Sequence, residues 1–392
     1  MSGEDKTAVL LVRQSPGRPP DPYKMKELVG LARAAGYRVL AEISQRRGRD
    51  HLFQMGRGKI EEALSYRPQK LIFYNPLSPS QVYNIRSTFG APVLDRFNLI
   101  LEIFSCRAFT REAKLQVELA RLSYDAPQVR SALALKKRGE QPGFRGSGAY
   151  EQSMYHDIRA RMAKIRSELS SVEDKGESRR QRRREQGFDL VALAGYTNAG
   201  KSTLLNCLTG SEVKAQDQPF TTLSPTTRAL DVLGRRVLLT DTVGFIDDLP
   251  HFLIKAFRST LSEISEADLV LLVADISDPI DLLRRKLIAS HKALWDCNVA
   301  SPIITVLNKA DRLNEREAAL KAEMVRDLTP YPILASAITG QGLGLLEESL
   351  SQHLQPLSEH EIRLPYTSQG LSQLSRLYQN NELIAVRYEE EL

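Results

Sequence analysis

Eight residues constrain this chain more than any others: Gly195, Tyr196, Thr197, Asn198, Ala199, Gly200, Lys201 and Ser202. They match the pattern G-x-x-x-x-G-K-[ST]. An apolar run, FDLVALAG, precedes them, and a helical stretch, KSTLLNCLTG, begins at the lysine. A strand, a glycine turn and a helix in that order aim successive backbone N–H groups at phosphate oxygens. The helix N-terminus adds partial positive charge at the same place. Lys201 is expected to bridge the β and γ phosphates, with Thr203 beside it, and the Ser202 hydroxyl to ligate Mg²⁺.

Four further segments complete the site, two for the base and two for Mg²⁺ and the γ-phosphate. Asn308-Lys309-Ala310-Asp311 closes the apolar run PIITVL and matches N-K-x-D. The Asp311 carboxylate can accept two hydrogen bonds from guanine. Adenine offers no such donor pair and would leave a buried carboxylate unpaired. Ser336-Ala337-Ile338, after YPILA, fits a loop whose backbone touches the base. Asp241-Thr242-Val243-Gly244 follows RRVLLT. Asp241 is expected to hold the Mg²⁺ shell through water, and the Gly244 N–H to meet the γ-phosphate. Upstream, Phe220-Thr221-Thr222-Leu223-Ser224 should bring in a second Mg²⁺ ligand, Thr222 ahead of Thr221.

Together these predict a P-loop GTPase binding GTP and GDP, with Lys201, Thr222 and Gly244 serving catalysis. Phe245 stands where Ras-like GTPases place a water-orienting glutamine. Phenylalanine cannot orient water, so free turnover should be slow and a partner or cation should complete the site. Asn198 occupies the position of an asparagine in P-loop GTPases that use potassium. K⁺ there would offset transition-state charge; the alternative is that Asn198 only stabilises the turn.

The expected fold class is α/β. Residues 1–110 alternate apolar runs (AVLLV, YRVLAEI, KLIFY) with helical stretches such as SPSQVYNIRSTFG, which predicts a small parallel domain. Residues 111–187 read as a linker of long helices around a Gly-rich loop, QPGFRGSGAY. Residues 188–355 form the GTPase domain with a mostly parallel sheet. Residues 356–392 read as a small α+β segment, EIRLPYTS and ELIAVRY being strands around the helix QGLSQLSRLYQ. Three widely spaced cysteines argue against a disulfide framework or zinc site. No window approaches the ~20 apolar residues of a membrane span, and MSGEDKTAVLLVRQ does not read as a signal peptide. A cytoplasmic, reducing setting and a monomer are expected.

The segments GYTNAGKSTLLN, FTTLSPTTR, DTVGFIDDLP and FRSTLSEISEADL resemble the HflX family of translational GTPases, as do AKLQVELARLSYDAP and MGRGKIEEAL outside the nucleotide motifs. The resemblance covers nearly the whole chain and is weakest in the tail. It implies a GTPase that binds the large ribosomal subunit and its rRNA; bacterial members split ribosomes under stress. Those members carry a G-x-G-E-T-x-x-E type motif in the linker. Here the stretch reads GFRGSGAYEQS, so the roles of that glutamate and threonine do not carry over, as in a divergent or archaeal-type member. Gly56-Arg57-Gly58-Lys59 fits either an RNA or nucleotide contact or a plain turn before KIEEAL.

The net charge of +6 would fit a polyanion, or an ordinary basic protein equally. Lys136, Lys137, Arg138 and Arg145 are candidate RNA contacts beside the Gly-rich loop; a solvated charged face is the competing reading. A nearly inert GTP-dependent RNA-binding module is the competing function. A nucleotide kinase is disfavoured by N-K-A-D.

Overall fold

The alternation read from the sequence becomes two parallel sheets joined by helices. The computed structural model describes residues 6–17, 19–139, 155–170, 187–210, 220, 226–246, 263–354, 362–365 and 367–380. In chain order the first sheet region runs β1 (Thr7–Gln14), α1 (Pro22–Ala34), β2 (Arg38–Arg46), α2 (Arg57–Ser65), β3 (Lys70–Phe73), α3 (Pro79–Phe89), β4 (Val93–Asp95) and α4 (Arg96–Arg107). The strands lie in the order β2-β1-β3-β4 and every pairing is parallel. Alternate residues of β1 feed opposite faces, as a strand's period of two requires. Ala8, Leu10 and Val12 join Leu28 of α1 and Ile100 of α4. Val9 and Leu11 join Ile60 of α2 and Ile85 of α3. Helix α3 carries its own boundaries: Ser78 and Gln81 form a capping box, and Gly90 ends it at φ +65°.

Helix α5 (Arg111–Gly139) is 29 residues long and passes through Pro127. A helix over 155–170, α6, lies antiparallel to it. Arg161 pairs with Glu118 at 2.6 Å, and Arg111 with Glu168 at 3.0 Å. Ile158, Met162, Ile165 and Leu169 of α6 are buried at helical spacing.

The second sheet region comprises β5 (Asp189–Gly195), α7 (Lys201–Thr209), β6 (Thr226–Val232), β7 (Arg235–Asp241), β8 (Leu269–Asp275), α8 (Ile280–Asp296), β9 (Ile303–Asn308), α9 (Glu315–Met324), β10 (Pro332–Leu334) and α10 (Leu343–His353). The strand order is β10-β9-β8-β5-β7-β6, and only β6 runs antiparallel, to β7. Strand β8 is buried at every position, as a central parallel strand flanked by helices must be.

The tail departs from expectation. Residues 362–365 form no strand, α11 (Ser368–Asn380) is present, and ELIAVRY lies outside the described residues. Ile362 is exposed, and among the described residues 362–365 pair with no strand. Among the described residues no helix is long and apolar enough to cross a membrane.

One packing feature positions the site. Phe97, Ile100 and Phe104 of α4 share a single buried cluster with Tyr196, Phe220, Val243, Phe245 and Ile246. Phe104 touches Phe220 edge-on, so α4 of the first sheet region meets the chain that follows α7.

Candidate functional site

Three backbone positions shape the loop after β5. Gly195 has φ +141°, and a Cβ there would lie 2.2 Å from the Val273 carbonyl oxygen, forcing β5 from β8. Gly200 has φ +94°, with a Cβ position 2.3 Å from Asn308 Nδ2. Asn198 is left-handed at φ +65°, a conformation asparagine tolerates better than most residues. Ala199 and Thr197 are buried between them. Lys201, the first residue of α7, is 7% exposed, and its ammonium donates to the carbonyls of Gly195 and Tyr196, each at 3.2 Å. Burial pushes its pKa down, and nearby Asp241 opposes that. A buried cation held by neutral carbonyls is electrostatically suited to an incoming phosphate.

The Ser202 hydroxyl donates to Asp241 Oδ2 at 2.5 Å, so a serine from α7 and a carboxylate from the end of β7 converge; Thr203 beside it is half-buried. Hydroxyl and carboxylate oxygens are hard donors, and they suit Mg²⁺, which takes few protein ligands and completes its shell with phosphates and water. Thr242 is fully buried, its hydroxyl donating to the Leu193 carbonyl at 2.7 Å. Val243 is buried beside it. At Gly244 a Cβ would sit 2.8 Å from Thr197 Cγ2 and 3.0 Å from Lys201 Nζ. The chain there is thus stitched to the phosphate loop: the Phe245 N–H donates to Gly195 O at 3.0 Å, and the Thr197 N–H donates to Phe245 O at 2.8 Å. The Phe245 ring is 3% exposed and faces the shared core.

Phe220 was expected beside the nucleotide. Its side chain instead packs edge-on against Phe104, with centroids 4.7 Å apart, and the Arg107 guanidinium donates to its carbonyl. An apolar ring gains more from that core than from a polar ligand. Thr221, Thr222, Leu223 and Ser224 lie outside the described residues, as does Arg145.

The N-K-x-D segment joins three loops. Asn308 donates to Ala199 O at 2.9 Å and accepts from the Ala337 N–H at 3.0 Å. Lys309 is left-handed and its ammonium donates to Asn198 O at 2.8 Å. The same ammonium pairs with Asp275 at 2.7 Å. Burial would raise the Asp275 pKa, but hydrogen bonds from Lys309 and Ser277 outweigh it and hold the carboxyl below its usual range. Ala310 is buried, and its N–H donates to Ala335 O at 3.1 Å. Asp311 is exposed rather than buried, its carboxylate accepting from the Ser336 hydroxyl at 2.5 Å. That hydroxyl accepts in turn from the N–H groups of Ile338 and Thr339. Ile338 is exposed at the rim.

The structure therefore gathers the expected residues of the phosphate loop, of the Asp241–Gly244 segment, of N-K-A-D and of the Ser336 loop around the carboxyl ends of β5, β7, β9 and β10. Sequence reading missed Asp275. Its signal was an acid closing the otherwise apolar strand LVLLVAD. It also missed Phe104 and Arg107, which no motif marks. Lys136, Lys137 and Arg138 fall near the end of α5, away from these loops in sequence. The Gly56 N–H donates to Gln45 at 2.8 Å and opens α2, while Arg57 and Lys59 pair with Glu61 and Glu62 of the same helix. This favours the plain turn.

A family model described as "50S ribosome-binding GTPase" matches residues 190–309. Models for the "GTP-binding GTPase N-terminal" and "GTP-binding GTPase Middle Region" match 22–105 and 107–183. The chain is similar to "GTPase HflX" of Thermococcus kodakarensis, 47% identical over 77% of this chain and 70% of the relative. It is similar also to "GTPase HflX" of Methanocaldococcus jannaschii, 40% identical over 93% and 90%. A GTP-binding protein from Sulfolobus solfataricus, solved in complex with GDP, superposes with TM-score 0.50 at 28% identity, over 88% of this chain and 98% of that one.

Proposed function

The chain belongs to the HflX family of GTPases and hydrolyses GTP, and from that premise we propose that it is a cytoplasmic switch that holds the large ribosomal subunit in its GTP state and releases it after hydrolysis. The observation that carries this reading is the match of residues 190–309 to a family described by its ribosome binding. In this reading the loop from Gly195 to Thr203 cradles the phosphates, and Lys201 neutralises charge on the β and γ groups. Ser202 and Thr222 would hold Mg²⁺, with Asp241 acting through water, and the Gly244 N–H would meet the γ-phosphate. Mg²⁺, when bound, offsets the charge that develops as water attacks. Asp311, oriented by Ser336, reads guanine. Lys136, Lys137, Arg138 and Arg145 supply an arm toward rRNA phosphates.

Phe245 favours a second reading, a nearly inert GTP-dependent RNA-binding module, because its buried ring cannot orient water. One experiment separates the two: GTP turnover with and without purified large subunits, alongside co-sedimentation. The switch reading expects turnover to rise with subunits, tighter sedimentation with a non-hydrolysable GTP analogue than with GDP, and binding that weakens steeply with salt. Replacing Lys136, Lys137, Arg138 and Arg145 should flatten that salt slope. Binding indifferent to nucleotide and to these charges would sink the ribosomal reading; nucleotide-dependent binding without turnover would leave the inert module. Whether bound ribosomes separate is read in the same gradients. The expectation of K⁺ at Asn198 is tested by exchanging KCl for NaCl at equal ionic strength, which should slow turnover and cease to matter in Asn198→Ala.

A further inference from the structure

We propose that Lys286 of α8 is a positioning residue for GTP hydrolysis: through the ring of Tyr196 it sets the carbonyl that aims the Lys201 ammonium. The Lys286 ammonium lies over the Tyr196 ring, 5.2 Å from its centroid. At that range the negative face of the ring attracts a cation. Tyr196 is 8% exposed, so little water screens the contact. The cation is itself held in place. Its ammonium pairs with Asp278 at 2.6 Å, and the preceding residue, Arg285, pairs with Asp21 of the first sheet region at 2.6 Å.

Lys201 shows why the ring matters. An ammonium has three N–H donors, and Lys201 donates to the carbonyls of Gly195 and Tyr196, each at 3.2 Å. The positions of those two oxygens therefore fix the direction left for a phosphate. The Gly195 oxygen is fixed from the backbone, since it also accepts from the Phe245 N–H at 3.0 Å. The Tyr196 oxygen accepts, besides the ammonium, a longer bond of 3.3 Å from the Ala199 N–H of the same turn. Its placement leans more on its own side chain. Packing leaves room there: a cavity of about 10 Å³, lined by Tyr196, Thr197, Asp275, Lys286 and Ser290 among others, lies between the loop and α8. That is roughly space for one water. Where a gap removes close contacts, a directed attraction decides where the ring rests. Small misplacements of reacting groups cost large factors in rate.

The inference rests on Lys201 as the phosphate ligand, so Lys201→Ala is the control. Intrinsic kcat and KM for GTP, and GDP affinity, are measured for the parent, Lys286→Met, Lys286→Arg, Tyr196→Leu and the Lys286→Met/Tyr196→Leu double variant. Thermal unfolding shows that each is folded. Lys286→Met and Tyr196→Leu are each expected to lower kcat about tenfold, with GDP affinity near the parent value, since GDP has no γ-phosphate to misalign. The double variant should be no slower than either single one, because both break the same contact. A guanidinium also binds a ring face, so Lys286→Arg should recover most of the rate. Where Lys286→Met does not fold, Tyr196→Leu against Tyr196→Phe, which keeps the ring, makes the same test. Parent-like kcat in Lys286→Met, with Lys201→Ala defective, overturns the positioning role alone. Losses that multiply in the double variant overturn it too, as does a fall in kcat that GDP affinity matches. Parent-like hydrolysis in Lys201→Ala removes the phosphate assignment on which the inference depends.

Discussion

Asp311 in the N-K-x-D segment and Asp275 beside it sit in different surroundings. Asp311 is exposed and oriented by Ser336, so its carboxylate is free to meet donors on a purine edge. Asp311→Asn replaces one acceptor with an NH₂ group facing guanine's own donors. A hydrogen bond to a charged group contributes about 1.5–3 kcal/mol, so GTP affinity should fall by tenfold or more, with xanthine nucleotides gaining relative to it. Competition binding checks this, and unchanged GTP affinity would remove Asp311 from the base site. Asp275 serves the scaffold. It and Lys309 are each 9% exposed, and their contact ties β8 to the N-K-x-D segment. Asp275→Asn leaves a buried ammonium without its counter-charge, a change that typically costs roughly 3–5 kcal/mol. The folded carboxyl is held below its usual range. Its contribution to stability is therefore present above about pH 4, the ordinary aspartate value, and is lost as pH falls through the depressed value. Thermal unfolding should show parent and variant well separated at neutral pH and converging in acid. A constant gap across pH would show that the pair's charge is immaterial.

At the scale of elements, the loop between β10 and α10 depends on one close approach. Gly342 has φ +77°, and a Cβ there would lie 2.1 Å from the Leu334 carbonyl oxygen. The Ser336 N–H donates to Gln341 O at 2.9 Å, so a shift at Gly342 passes to the serine that orients Asp311. Gly342→Ala should cost more than about 1 kcal/mol, the scale of an incompatible glycine replacement, and weaken GDP binding. Gly340→Ala is the control, since Gly340 also has positive φ but nothing within 4 Å of its Cβ position. Equal effects on nucleotide affinity would mean that only backbone strain matters. Elements whose pattern is self-contained were the legible ones. The apolar runs of β5, β8 and β9, and α3 between its serine cap and glycine stop, needed no partner to be read. Strand β6 was missed because an edge strand shows little burial; only Val232 of its seven residues is buried. Helix α4 was missed because its burial, from Phe97 to Phe104, reaches both around and along the helix and blurs the period.

For the whole molecule, the nucleotide motifs were legible because each is short, contiguous and chemically specific. The surface against which the first sheet region rests was not, since it joins Phe104 and Arg107 to Phe220 across more than a hundred positions without a repeated pattern. A second tie, Arg285 of α8 to Asp21 at the start of α1 at 2.6 Å, is equally invisible in sequence. The common core of Tyr196, Phe245, Phe220 and α4 has a thermodynamic corollary. If GTP and GDP prefer different arrangements of the Phe245 segment, a ligand whose grip on the first sheet region depends on that arrangement also prefers one of them. Linkage then runs in both directions with a single coupling constant. A ligand of that region that favours GTP over GDP by some factor must itself be bound more tightly, by the same factor, when GTP is present.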